Sequence, residues 1–106
     1  MTNYVIALTG GGMPDTQEEM AKVMAAWGVW YEDMGEAIVD MGAPFGVSTQ
    51  IATDRSTSDG AASSLTGYLI VKADSLAGGV ELAKGCPNLD SGGCVEVYEA
   101  LPVPEM

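Results

Sequence analysis

Histidine is absent from this chain of 106 residues, and bases are scarce: Lys22, Arg55, Lys72 and Lys84 stand against 15 acids. Without an imidazole, any proton transfer would fall to a carboxylate, a tyrosine or a cysteine. The commonest transition-metal ligand is missing too. The two cysteines, Cys86 and Cys94, have neither the spacing of a zinc site nor that of a CxxC redox pair, so they read as two separate reduced thiols. Neither a metal nor a cofactor is expected. No apolar run approaches the ~18 residues of a membrane span. No basic segment followed by an apolar stretch opens the chain, which reads against a signal peptide. A cytoplasmic protein that stays off the membrane is the expectation. The net charge of −11 repels phosphate backbones, and the four bases form no patch, which excludes nucleic acid as a partner.

What is present is a globular composition, 47% hydrophobic, at the length of a single domain, 1–106. Tyr4 to Leu8 is a continuous apolar run, read as a strand buried on both faces and closed by Gly10-Gly11-Gly12. Thr16 with Glu19 has the spacing of a capping box, and a helix is predicted from about Gln17 to Asp40. At 100° per residue, Met20, Val23, Met24, Trp27, Trp30, Tyr31, Met34, Ile38 and Met41 share one stripe, with Trp27 at its centre. Gly28 and Gly35 lie on one flank and suggest close approach of another backbone; Gly42 reads as the helix C-cap.

Phe45 to Thr53 alternates weakly and is predicted to be a strand. Thr53 to Ser64 reads as a loop with an Asp59-Gly60 turn. Leu65 to Ala73 is the clearest strand of the chain. Ser75 caps a second helix with Leu76, Val80 and Ala83 inward, ending at Gly85. Asn88 to Gly93 is turn material. Cys94 to Glu99 alternates as the last strand, and Pro102 and Pro104 forbid its continuation.

The order is βαββαβ, which predicts an α+β, ferredoxin-like domain: a four-stranded antiparallel sheet with two helices on one face. Strands apolar on both sides would leave the other face bare. A second copy is the simplest cover, so a homodimer through the sheet faces is expected.

Several segments then carry a family resemblance. Met24-Ala25-Ala26-Trp27-Gly28-Val29-Trp30, Asp59-Gly60, Gly67 to Leu76, Glu81-Leu82-Ala83-Lys84-Gly85-Cys86-Pro87 and Gly93 to Tyr98 resemble, in that order, the YCII-related family, DGPF-domain branch. The resemblance implies a dimeric α/β-barrel of ferredoxin-like subunits. Members are mostly uncharacterised bacterial proteins, some suspected enzymes and some linked to sigma-factor genes. The family's Asp-Gly-Pro-Phe reads Asp59-Gly60-Ala61-Ala62 here, and Asn88 stands where close relatives can show a histidine. No catalytic dyad carries over.

The candidates for chemistry are few. Asp59 stands at the head of the family's Asp-Gly motif as a candidate, and is more simply read as a turn-former. Tyr68 would begin the central strand with its hydroxyl towards a cavity. Trp30, with Trp27 and Tyr31, would line an apolar pocket or simply fill the core. Cys86 follows a helix C-terminus, where the dipole disfavours a thiolate nucleophile. Three function classes follow. The first is a small-molecule-binding module, with Trp30, Tyr68 and Asp59 at a pocket between sheet and long helix, rimmed by the Gly10-Gly11-Gly12 and Asp59-Gly60 loops. The second is a cofactor-free lyase or isomerase using Asp59 or Tyr68. The third is an accessory module that contacts another protein.

Overall fold

Tyr4, Ile6 and Leu8 alternate into the core, and so do Leu69, Val71 and Ala73, because the two stretches pair directly. In a computed structural model, which describes residues 1–11 and 15–102, the chain runs β1 (Thr2–Thr9), α1 (Gln17–Met34), β2 (Ile38–Pro44), β3 (Thr49–Ile51), β4 (Thr57–Asp59), β5 (Leu65–Ala73), α2 (Leu76–Ala83) and β6 (Cys94–Glu99). Strands β2-β5-β1-β6, in that order, make one antiparallel sheet of four. With the two helices this is an α+β fold, and its strand order is compatible with the ferredoxin-like arrangement. Trp30 and Met34 of α1 and Ala83 of α2 join Tyr4, Ile6, Leu69 and Val71 in one core. Both helices are capped as their sequences specify: Thr16 Oγ1 accepts from Glu19 N at 3.1 Å, and Ser75 Oγ from Gly78 N at 3.1 Å.

The long helix is shorter than its periodicity predicts. It ends at Met34, where Gly35 takes φ +50° and donates its N–H to the Tyr31 carbonyl. After a single 3-10 turn the chain becomes β2 rather than more helix. Ile38 and Met41 satisfy the helical spacing only by coincidence. β-Branched Ile38 and Val39 suit a strand, and pairing with β5 overrides the local pattern.

Gly42 is accordingly not a helix cap. It sits in an irregularity of β2 at φ +69°, where Asp40 Oδ1 accepts its N–H at 2.8 Å and a Cβ would run into the Tyr68 carbonyl. Gly28 and Gly35 have no close neighbour at the Cβ position, so backbone approach does not explain them; Gly35 is explained by its φ alone. In α2, Leu76 is exposed, and Gly79 faces inward against Tyr4.

The fourth sheet strand is therefore 38–44 and not Phe45 to Thr53. Instead β3 and β4 pair with each other as a separate hairpin whose residues are all exposed. The arm helps to explain a radius of gyration of 15.5 Å, against about 13 Å expected at this length. Opposite the helices the sheet carries a row formed by Ile70, Val5 and Tyr98, neighbours in register across three strands.

Candidate functional site

The apolar stripe of α1 closes onto the sheet at only one end. Trp30 (5% exposed) and Met34 (7%) enter the core near the C-terminus, while Trp27 is half-buried and Met24 is 65% exposed. Trp27, the expected centre of the buried face, is thus at its margin. The indole of Trp30 holds the closed end shut: its Nε1 donates to the Leu82 carbonyl at 2.9 Å, tying α1 to α2. At the open end the helix stands off the sheet and leaves a cavity of about 660 Å³.

Each wall has a sequence reason. The roof is one side of α1, with Met20, Val23, Met24, Trp27 and Tyr31 at helical spacing. The floor comes from Leu8 and from the 41–45 stretch. Beside it Gly67 is buried, with its Cβ position 3.3 Å from Leu8 Cδ1 and 3.5 Å from Pro44 Cα.

The end wall is Gly10, Gly11, Asn88 and Ser91. Asn88 is buried, and its Nδ2 donates to the carbonyls of Thr9 (3.1 Å) and Cys94 (3.0 Å). It thereby clamps the last turn to the ends of β1 and β6. Gly11 and Gly93 are needed there, since a Cβ on either would strike the Asn88 side chain. Thr66 Oγ1 donates to Leu8 O at 3.2 Å and lies near Gly10 O at 3.3 Å, fixing the same corner.

The electrostatics are those of an apolar site. No described residue lining the cavity is an acid or a base. On the wall, burial, and then the neighbouring Cys86, push the Tyr31 hydroxyl up and keep it protonated. Cys86 is itself pushed up, first by burial and further by Asp90, against a lowering hydrogen bond from the Asn88 backbone. It is a neutral core thiol. Both cysteines are free, and Cys94 is exposed.

Of the three residues expected at the pocket, one lies on it. Tyr68 lines the wall, yet alternation along β5 sends its ring to the face opposite Leu69. There it stacks on Phe45 (5.6 Å, 21°), and its hydroxyl lies 3.5 Å from Asp40 Oδ2. Trp30 is core. Asp59 pairs with Thr49 in the exposed hairpin, away from the cavity. Gly10 and Gly11 do rim the cavity, Asp59-Gly60 does not, and Gly12 lies outside the described residues.

The residues that sequence reasoning placed in the core or in a turn, Met20, Met24, Met41 and Asn88, turn out to form walls. The helical stripe named the methionines of α1 but held no sign of where the helix would lift. Among the described residues, no group of three or more carboxylates or cysteines could hold a metal ion, and no helix is long and apolar enough to cross a membrane. No protein-family model matches the chain, and no curated protein matches it.

Proposed function

We propose that this domain binds a small, mainly apolar molecule in the cavity between α1 and the sheet. The supporting observation is the cavity itself. Its 660 Å³ falls within the range of small-molecule sites, and its wall mixes aromatic, thioether and aliphatic surface with a few polar groups. Exposed Met24, Met41 and Phe45 at a concave site are unusual unless something covers them. Methionine also suits a wall that must adapt to its occupant.

A lyase or isomerase would need a proton-transfer group at the site. Among its described residues the wall holds no carboxylate, amine or thiol, and the Tyr31 hydroxyl is held protonated, which favours binding over acid–base chemistry.

The same proposal takes the chain as a YCII-related, ferredoxin-like subunit of a dimeric α/β-barrel. What supports the dimer is the uncovered apolar row of Val5, Ile70 and Tyr98. Indole, as a neutral aromatic probe, should raise the melting temperature by several degrees at about ten times its Kd. Met24→Glu, at an exposed position, should remove that response without unfolding the protein. A parent protein indifferent to indole and to other neutral aromatics would overturn the reading.

A further inference from the structure

The cavity is neutral, but the molecule around it is not. Fifteen acids against four bases give the chain −11, so its potential is negative over most of the surface. The acids also sit next to the wall in the chain: Glu19 precedes Met20, Asp40 precedes Met41, and Asp90 precedes Ser91. The one base so placed is Lys22, beside Val23. These charges lie outside the apolar surface but within about a Debye length of it, so salt screens them incompletely. An anion entering the cavity would meet this field, with Lys22 as the one base beside the wall to offset it.

The wall chemistry points the same way. Trp27 and Tyr31 have ring centroids 5.9 Å apart on the roof, at 45° to one another. Aromatic faces are negative and attract cations, tryptophan most strongly. Thioether sulfur is polarisable and adds to such contacts without adding charge. Full burial of a strongly hydrated ammonium would cost too much. A cation with delocalised or alkyl-shielded charge loses little hydration, and the cavity opens to solvent, so its charged end can stay at the mouth.

We infer that the preferred occupant is a weakly hydrated aromatic cation, such as an N-alkylated heteroaromatic, with its rings under Trp27 and Tyr31. This rests on reading the cavity as a ligand site, and it adds the sign of the ligand's charge.

The test uses three probes of one skeleton at neutral pH: quinoline (neutral), N-methylquinolinium (cation) and a quinoline carboxylate (anion), each titrated calorimetrically into the intact protein. The cation should bind about tenfold more tightly than quinoline, roughly 1.4 kcal/mol. That advantage should shrink as salt rises to about 1 M, where the Debye length is about 3 Å. The anion should bind more weakly than either.

Variants at two positions place the effect. Trp27→Leu should remove most of the cation's advantage while leaving quinoline binding within a few-fold. Glu19→Lys, at an exposed acid beside the wall and not on it, should weaken the cation and spare quinoline; Glu19→Gln should weaken the cation less and spare quinoline too. Quinoline binding as tightly as the cation, or the carboxylate binding comparably, overturns the charge preference and leaves the cavity reading intact. No binding by any of the three overturns the cavity reading and this inference with it.

Discussion

Trp30 Nε1 donates a 2.9 Å hydrogen bond to the carbonyl of Leu82, and the same indole lies 3.0 Å from where a Cβ on Gly85 would stand. The pair fastens the C-terminal end of α1 to the end of α2 while the other end of α1 stays open. Trp30→Phe removes the donor and some ring area. It should cost about 1–3 kcal/mol in urea denaturation, and Trp30→Ala about 3–5 kcal/mol. Gly85→Ala should also destabilise, by roughly 1–2 kcal/mol, because a rigid buried ring must give way.

Two glycines give opposite expectations. Gly28 lies mid-helix with open space at its Cβ position, so Gly28→Ala should stabilise by up to about 1 kcal/mol. Gly42→Ala should destabilise by more than about 2 kcal/mol, because its φ is positive and the Tyr68 carbonyl occupies the Cβ site. Melting temperatures of the two variants check both signs. A stabilising Gly42→Ala would mean that β2 does not bulge at Asp40.

Much of this fold was legible in the chain. The bounds of β5 and β6, and the caps at Thr16 and Ser75, follow from local chemistry and agree with the structure. The end of α1 was not legible, because Ile38 and Met41 continue a helical stripe that only pairing with β5 interrupts. The site was less legible still. A stripe of Met20, Val23, Met24 and Trp27 has the same pattern whether it meets the sheet or stands above it. The difference lies in tertiary packing: Trp30 and Met34 reach the core at one end of the helix, and Met24 stays exposed at the other. Asn88 reads as a turn residue, and its amide clamp on Thr9 and Cys94 exists only once β1 and β6 are side by side.

The cysteines should separate cleanly in a thiol-labelling assay. Exposed Cys94 should react in the native protein, and buried Cys86 only on unfolding. Burial raises the Cys86 thiol, so the folded chain keeps that proton at pH values where the unfolded chain loses it, above about pH 9. Its contribution to stability is therefore full below that point and declines as pH rises. Tyr31 acts in the same direction at higher pH. Cys86→Ala should flatten the first part of that alkaline decline; an unchanged profile would show that Cys86 does not titrate differently in the two states.

Pairing through the uncovered sheet face predicts a mass of about twice 10.9 kDa in light scattering at micromolar concentration. Ile70→Asp, a half-buried residue in the Val5–Tyr98 row, should give monomers, because it places unpaired charge in the shared face. A monodisperse particle of single-chain mass in the parent protein contradicts the dimer.

If α1 lifts from the sheet to form a binding cavity, the methionine methyl groups report on it directly. Carbon-13 methyl spectra of methionine-labelled protein, titrated with indole, should show the signals of Met20, Met24 and Met41 moving together along one saturable curve. Met34, buried at the closed end, and Met1 should stay in place. No movement at Met20, Met24 and Met41, or equal movement at Met34 and Met1, would rule out a binding cavity under α1.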